Sequence, residues 1–252
     1  MLKQGRVDTY IHAKLEAGEK LHMTLIDPIS ISQDDAASLA ASVEEMGSDA
    51  IMVGGSTVHT QEQLDTYIKT IKSKTRLPVI IFPNNVQSIS RFADAIWFMS
   101  LLNSVDWYYI VGAHLQGALT VKHFNLEALP MGYVVFGHES TVAAMGRVLP
   151  LSPHNVEIAV CYGLAAQYLG MRYLYLEAGS GAAAHIPPQT IRAVKHAVEI
   201  PVIVGGGIRT GKDAETVAAA GADIIVTGTA AEKNREKLAE IIHAVKSGPS
   251  GL

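Results

Sequence analysis

The sequence is poor in the features that mark several large classes of protein. It contains one cysteine, Cys161, which excludes an intramolecular disulfide and a Cys-x-x-Cys metal site. Lys and Arg (20) do not outnumber Asp and Glu (24), and the net charge of −4 disfavours a nucleic-acid partner. No apolar run approaches the roughly 20 residues of a transmembrane helix. We therefore expect a cytoplasmic protein without a membrane span.

The chain is nevertheless rich enough in apolar residues to build a large core. Of its 252 residues, 48% are hydrophobic. Barrels built from alternating strands and helices commonly reach this length as one domain. We expect a single domain over residues 1–252, with a frayed tail at 247–252.

Eight short apolar runs alternate with helical patterns. We predict parallel strands because buried strands of this type read as continuous apolar runs. Closure into a single-domain (β/α)8 barrel is the favoured fold class. Residues 103–130 and 138–155 are less regular, and we interpret 138–150 as an insertion over the barrel mouth or an irregular segment beside the fifth strand. The predicted strands lie near 22–27, 50–54, 78–82, 95–100, 131–136, 172–177, 201–205 and 223–228, and the predicted helices near 34–46, 60–74, 188–198, 212–220 and 230–246.

Glycines follow several of these strands at the end where such barrels carry their active sites. Gly205, Gly206 and Gly207 follow the seventh strand, and Gly228 and Thr229 follow the eighth. Backbone N–H groups in loops of this kind bind phosphate. The alternative is that these glycines only form tight turns.

Two carboxylates occupy the same rim. Asp27 ends the first strand, and Ser56 follows the second, which predicts an oxygen-only site suited to Mg²⁺. The alternative for Asp27, which precedes Pro28, is a turn residue. Alternation places Tyr173, Tyr175 and Glu177 on one face of the sixth strand. Glu177 is then either a general base or the partner of a cation in the core, because an unpaired buried charge is costly.

Five motifs together resemble the geranylgeranylglyceryl phosphate synthases, whose bacterial relatives are the heptaprenylglyceryl phosphate synthases. The resemblance runs from about residue 20 to 245, and its most specific part is Tyr-Leu-Glu-Ala-Gly-Ser-Gly at 175–181. The other motifs are Thr-Leu-Ile-Asp-Pro at 24–28, Val-Gly-Gly-Ser at 53–56, Val-Gly-Gly-Gly at 204–207 and Thr-Gly-Thr at 227–229.

The resemblance implies a prenyltransferase that joins geranylgeranyl diphosphate to the 3-hydroxyl of sn-glycerol 1-phosphate. It implies Mg²⁺ at Asp27 and Ser56. In such a reaction Glu177 is the predicted general base, and Tyr175 is the next candidate for the route of the proton. A homo-oligomer and a transient contact with a membrane surface are also implied. The implied glycerol 1-phosphate site comprises Tyr175, Leu176, Glu177, Ala178, Gly179, Ser180, Gly181, Gly206, Gly207, Gly228 and Thr229.

One position departs from part of the family. Some members carry a lysine two residues before the aspartate of the first strand, where this chain has Leu25. The run Ile-Trp-Phe-Met at 96–99 resembles the fourth-strand region of the other subgroup, whose members often assemble beyond dimers. Apolar groups near the fourth and fifth strands are expected to line a groove for the prenyl tail.

Three other functions remain open from the residues. A phosphate-binding isomerase or lyase of histidine or tryptophan biosynthesis shares the glycine loops and would use Asp27 and Glu177 as opposed acid and base. A heptaprenylglyceryl phosphate synthase would differ in the length of its prenyl donor. A non-catalytic protein that binds a phosphorylated ligand or a flavin would need no proton acceptor.

Overall fold

Eight parallel strands pair in chain order, and the last pairs with the first, so that the sheet closes into a barrel. This is seen in a computed structural model that describes residues 4–55, 60–228 and 234–248. The predicted (β/α)8 barrel is confirmed, although the fifth strand begins at Glu127 rather than at residue 131. The strands are β1 Leu21–Ile26, β2 Ala50–Val53, β3 Val79–Ile81, β4 Ala95–Leu101, β5 Glu127–Val135, β6 Tyr173–Glu177, β7 Val202–Gly205 and β8 Ile224–Thr227.

Helices connect most neighbouring strands on the outside of the barrel, whereas the described residues between β3 and β4 form no helix. A π-helix, Tyr108–Gly112, runs directly into the helix that follows β4. Residues 230–233 of the predicted last helix, and 249–252 of the tail, lie outside the described residues. The α-helices are α1 Arg6–Glu16, α2 Gln33–Glu45, α3 Gln61–Lys72, α4 Ala113–His123, α5 Thr141–Met145, α6 Val156–Tyr168, α7 Pro188–Ala197, α8 Gly211–Ala219 and α9 Arg235–Lys246.

The segments that were expected to be irregular contain regular helices. α4 lies within 103–130, and the short α5 lies within 138–155. Isolated bridges join Val148 and Leu151 of the second segment to Ser104 and Gly137, respectively. α6 follows directly. The prediction for 103–130 was wrong because α4 has apolar residues on more than one face, which removes the period that identifies an amphipathic helix.

Alternation along the strands divides the core into two layers. Tyr173 and Tyr175 point into the barrel, where they pack with Trp97 and Tyr133. Leu174 and Leu176 point outwards and pack against the surrounding helices. The predicted shared face of Tyr173, Tyr175 and Glu177 is therefore the inner one.

The amino-terminal end of the barrel is closed by α1, which the sequence analysis did not predict. Val7 and Ile11 of this helix pack into the interior cluster. Asp8 is 1% exposed, accepts a hydrogen bond of 2.7 Å from the Tyr173 hydroxyl and pairs with Arg172. A buried carboxylate thus joins the helix to β6.

We expect Asp8→Ala to lower the free energy of unfolding by about 2–4 kcal/mol, because it leaves Tyr173 and Arg172 without their buried acceptor. Urea denaturation followed by circular dichroism measures the change. Glu215→Ala, at an exposed position of α8, is the control and should change stability by less than about 0.5 kcal/mol. Equal stability of the two variants would show that the Asp8 contacts contribute nothing.

Within the described residues, no helix combines the length and the hydrophobicity that crossing a bilayer requires. The cytoplasmic location stays a prediction.

Candidate active site

A cavity of about 990 Å³ opens at the carboxyl ends of the strands. This volume is at the upper end of the range of roughly 300–1,000 Å³ that is typical for small-molecule sites. One part is polar and includes Asp27, Glu177 and Ser180. The other part is apolar and extends between β4 and α4, where Ile96 and Phe98 line it. The cavity can therefore hold a ligand, or a pair of ligands, with a polar and a long apolar part.

Glu177 ends β6 in the polar part and is 8% exposed. Its Oε1 accepts a hydrogen bond of 2.6 Å from the Gly179 N–H, and the hydroxyls of Tyr175 and Tyr133 also donate to the carboxylate. In the described part of the chain Glu177 forms no ion pair, since Arg172 pairs with Asp8 at the other end of β6. These contacts do not support the alternative in which a core cation holds Glu177.

Burial raises the pKa of the Glu177 carboxyl above its ordinary value. The hydrogen bond from the Gly179 N–H, followed by those from Tyr175 and Tyr133, opposes that rise. Burial, and then the nearby charge of Glu177, raises the pKa of both tyrosine hydroxyls well above the ordinary value. The tyrosines thus stay protonated donors, while the carboxylate is a stronger proton acceptor than an exposed glutamate.

The glycines after β7 make room for these side chains. A Cβ on Gly205 would lie 2.0 Å from the Tyr175 hydroxyl oxygen, and one on Gly206 would lie 2.4 Å from Oε1 of Glu177. Gly206 also has a φ of +81°, which disfavours any other residue. The close packing of Gly205 against Tyr175, and of Gly206 against Glu177, therefore accounts for part of the triple-glycine motif.

Gly207 and Gly228 differ in their surroundings. A Cβ on Gly207 would lie 2.2 Å from the Ala184 carbonyl oxygen, so that this glycine is also required by a neighbouring loop. At Gly228 a Cβ would meet only Leu25, at an ordinary 3.5 Å. Both glycines line the cavity, whereas Thr229 lies outside the described residues.

Only some residues of the predicted substrate-binding run 175–181 line the cavity. Tyr175, Glu177, Ser180 and Gly181 line the cavity. The others hold the loop in place. Leu176 is fully buried and Ala178 half-buried in the outer layer, and Gly179 donates to Glu177. A direct role of the Leu176 side chain in binding therefore has no geometric support.

Asp27 lines the same cavity from the end of β1. Its Oδ1 accepts a hydrogen bond of 3.0 Å from the Ile29 N–H, and a Cβ on Gly55 would lie 2.0 Å from its Oδ2. Ser56 lies outside the described residues. Among the residues described, no three His, Cys, Asp or Glu side chains come together as a metal site. The Mg²⁺ site stays a prediction, and Asp27 is the one carboxylate ligand that it includes.

Sequence reasoning missed several residues of the site. Tyr133 lies opposite Tyr175 in the pairing of β5 with β6, and the two rings meet edge to face at 5.1 Å between centroids. Alternation along the predicted fifth strand would have placed Tyr133 inside the barrel. Phe82 contacts both tyrosines at 5.7 and 5.9 Å, and Lys237 on α9 also lines the cavity.

Other polar residues of the rim have structural contacts. Asn103 is 2% exposed and exchanges hydrogen bonds with the backbone of Val135, while it also donates to the Leu149 carbonyl. Ser104 donates to the Gly146 carbonyl at 2.6 Å. These two residues join β4 to β5 and to the segment after α5, and they do not line the cavity.

The apolar part of the cavity lies beside one of the two strands near which a prenyl groove was predicted, and its use by a prenyl tail stays a prediction. β4 contributes to it, as expected, but β5 contributes only Tyr133. The remaining wall comes from segments that the sequence analysis did not predict there, namely the π-helix, the inner side of α4 and the chain after β3. Their lining residues include Tyr108, Tyr109, His114, Gly117, Val121 and Ile89.

The sequence and the fold both match known proteins. The PcrB family pattern matches residues 15–246. A geranylgeranylglyceryl phosphate synthase of Thermococcus kodakarensis is 51% identical over 98% of this chain and 100% of its own length. Its counterpart from Pyrococcus horikoshii is 49% identical over 98% of each chain.

A solved structure matches the barrel closely. It is (S)-3-O-geranylgeranylglyceryl phosphate synthase from Thermoplasma acidophilum in complex with its substrate sn-glycerol-1-phosphate. The TM-score is 0.92 with 43% identity, over 97% of this chain and 99% of the other. Because the family pattern and these relatives span nearly the whole chain, this protein belongs to the PcrB family.

Proposed function

We propose that this chain is a prenyltransferase that converts geranylgeranyl diphosphate and sn-glycerol 1-phosphate into geranylgeranylglyceryl phosphate and diphosphate. This reaction forms the first ether bond of archaeal-type membrane lipids. The observation that carries the proposal is a cavity in which a buried carboxylate and a glycine-lined wall adjoin an apolar chamber. The names of the close relatives support the same reaction.

The glycerol 1-phosphate would occupy the polar part of the cavity. Gly206, Gly207 and Gly228 offer backbone at the wall, where no side chain obstructs a phosphate. Arg209 and Lys237 add positive charge to this part of the lining. Arg209 also donates to the Gly181 and Ala182 carbonyls at 3.1 and 2.7 Å, which holds the loop after β6 against that after β7.

Glu177 would accept the proton of the 3-hydroxyl. The hydroxyl oxygen forms a bond with C1 of the prenyl group while the bond from C1 to the diphosphate oxygen breaks. The leaving diphosphate takes that electron pair, and the proton goes to the Glu177 carboxylate. Positioning of both reactants in one cavity supplies much of the rate, because it replaces an encounter in solution.

Mg²⁺ is the proposed cofactor, and the residues present fit it. Mg²⁺ is commonly bound by one or two carboxylates together with substrate phosphates and water. Asp27 would be such a ligand, because its carboxylate lies at the cavity wall beside Gly55. Ser56 is proposed as a second ligand. When bound, the ion supplies positive charge that stabilises the departing diphosphate.

The prenyl tail would lie in the apolar part between β4 and α4. Leu25 stands at the cavity wall near Gly228, so that the first strand contributes an apolar side chain where some relatives have a lysine. A heptaprenyl donor is the second candidate, since the cavity is open at the mouth. The two differ only in the length of tail that the apolar part accommodates.

The proposal is tested with radiolabelled sn-glycerol 1-phosphate and three donors, namely geranyl, geranylgeranyl and heptaprenyl diphosphate. We expect a labelled, lipid-soluble product when the protein, sn-glycerol 1-phosphate and a donor are all present. Its formation should be fastest with geranylgeranyl diphosphate. Fastest turnover with the heptaprenyl donor would favour the second candidate. Tight binding of glycerol 1-phosphate without product from any donor would indicate a non-catalytic binding protein.

Gly228→Val tests the position of the phosphate. Because this site has space for a Cβ and no unfavourable φ, the variant should fold normally while its side chain enters the cavity. We expect affinity for sn-glycerol 1-phosphate to fall by at least about tenfold, or about 1.4 kcal/mol, in titration calorimetry. Gly207→Val is expected to lower the affinity too, but its clash with Ala184 adds a folding defect, so Gly228 gives the cleaner result. Unchanged affinity in Gly228→Val would place the phosphate elsewhere.

A further inference from the structure

A buried polar cluster lies on the outer side of β1, in the layer that α9 packs against. Its members are His22, Thr24, Ser48 and Thr227, each of which is at most 4% exposed. Because Met23 points into the barrel, alternation along the strand directs His22 and Thr24 away from the interior. The proposed reaction uses none of these side chains, so that their chemistry has no role assigned to it.

Outward positions on other strands of the barrel are aliphatic. A buried polar side chain loses its hydration, whereas a hydrocarbon side chain of similar size fills the same space without that cost. The polar cluster therefore points to a role beyond packing. The aliphatic outward residues on β2, β3, β6 and β7 are Ile51, Val53, Val79, Ile81, Leu174, Leu176, Val202 and Val204.

The imidazole of His22 joins two hydroxyl groups from distant parts of the chain. Its Nδ1 lies 3.0 Å from the Ser48 hydroxyl oxygen before β2, and its Nε2 lies 2.8 Å from the Thr227 hydroxyl oxygen at the end of β8. Ser48 donates its own hydroxyl hydrogen to the His22 carbonyl at 3.1 Å, so we assign the ring proton to Nδ1. Nε2 is then the acceptor, and the Thr227 hydroxyl is the donor.

His22 is also held through its backbone. Its N–H donates to Oδ2 of Asp49 at 2.9 Å, and Asp49 pairs with Lys246 of α9 at 3.1 Å. Burial, and then the charge of Lys246, lowers the pKa of the His22 imidazole to about 3. The ring is therefore neutral at the pH of an ordinary activity measurement and keeps one donor and one acceptor.

Thr227 connects this cluster to the cavity. It is the last residue of β8, it lines the cavity, and it precedes Gly228. Gly228 also lines the cavity and is a proposed contact of the substrate phosphate. A fixed Thr227 side chain limits the directions in which the backbone can leave β8. The imidazole can therefore act on the backbone at Gly228 without reaching the cavity itself.

We propose that His22 is a positioning residue for phosphate binding, and that it acts through its hydrogen bond to Thr227. The identity of the ligand rests on the proposed function, whereas the contact between the two side chains does not. The imidazole touches no substrate. It restricts the backbone at Gly228 before the phosphate arrives, so that less ordering has to accompany binding.

Two amide variants separate the two ends of the imidazole. Glutamine places a polar atom near the position of Nε2 and keeps the contact with Thr227, whereas asparagine places one near Nδ1 and keeps only that with Ser48. Both variants bury a neutral amide at the same site, so their melting temperatures should fall by similar amounts. In titration calorimetry, His22→Asn should raise the Kd for sn-glycerol 1-phosphate by at least about fivefold, and His22→Gln should change it by less than about twofold.

Thr227→Val removes the same hydrogen bond from its other end. It should raise this Kd as much as His22→Asn does, and the double variant should bind no more weakly than either single one, because both remove one interaction. Thr24→Val is the matched control. Thr24 belongs to the same buried cluster, where its hydroxyl lies 3.2 Å from that of Ser48, and its loss should leave the Kd within about twofold of the wild type.

Hydrogen exchange measures the positioning without any ligand. A peptide that contains Thr227 and Gly228 should exchange at least about threefold faster in His22→Asn than in the wild type or in His22→Gln. Equal exchange in the two amide variants would overturn the proposal, and so would an unchanged Kd in His22→Asn. A wild type that does not bind sn-glycerol 1-phosphate would overturn the proposed function instead, and the exchange comparison would then decide the role of His22.

Discussion

Glu177→Gln is expected to lower kcat by about 10²–10⁴ while KM for sn-glycerol 1-phosphate changes modestly. Glutamine keeps the shape of the side chain and can still accept a hydrogen bond from the Gly179 N–H, but it cannot take up the proton at neutral pH. The phosphate is proposed to lie against glycines on other strands, which the substitution leaves in place. Steady-state kinetics with both substrates provides the measurement.

The pH profile distinguishes a base from a structural residue. A base must be deprotonated, so activity should rise with pH through the pKa of Glu177, which burial moves above its ordinary value. In Glu177→Gln that rise should disappear from the residual activity. If Glu177 serves only for packing, the melting temperature falls and activity declines only as folded protein is lost. A stable variant with full activity would defeat both interpretations and direct attention to Tyr175.

Asp27→Asn should abolish turnover, with a loss of at least roughly 10²-fold, because an amide is a poor ligand for Mg²⁺ and the leaving diphosphate then lacks its counter-charge. The measurement is activity as a function of Mg²⁺ concentration. Asp34→Asn is a matched control, since Asp34 is an exposed carboxylate on α2 outside the cavity. Wild-type activity of Asp27→Asn at low Mg²⁺ would contradict the proposed metal role.

The sequence was sufficient to predict the barrel and much of its rim. Continuous apolar runs identify β1 to β8 because parallel strands are buried on both faces. Alternation then placed Tyr175 and Glu177 inside the barrel, and the position after each strand placed Asp27 and Gly228 at one end. These inferences need only the period of a strand and the direction of parallel strands.

Other features depend on contacts between segments that are distant in the sequence. Gly205 and Gly206 were interpreted as phosphate-binding or turn residues, but their neighbours Tyr175 and Glu177 come from another strand. The plug formed by α1 depends on the pairing of Asp8 with β6, more than a hundred residues later. No local pattern contains this information.

The helices α4 and α6 escaped prediction for a related reason. Their outer faces are apolar, so the contrast between a buried and an exposed face, on which helix prediction depends, is weak.

The central claim is that the cavity holds both substrates while the 3-hydroxyl oxygen of sn-glycerol 1-phosphate attacks C1 of the prenyl group. The most direct test is product formation from sn-glycerol 1-phosphate labelled with ¹⁸O at its 3-hydroxyl and geranylgeranyl diphosphate, followed by mass spectrometry. We predict that the ether product retains the label and that the released diphosphate carries none, because the hydroxyl oxygen attacks C1 of the prenyl group. Label in the diphosphate, or no ether product at all, would contradict the account.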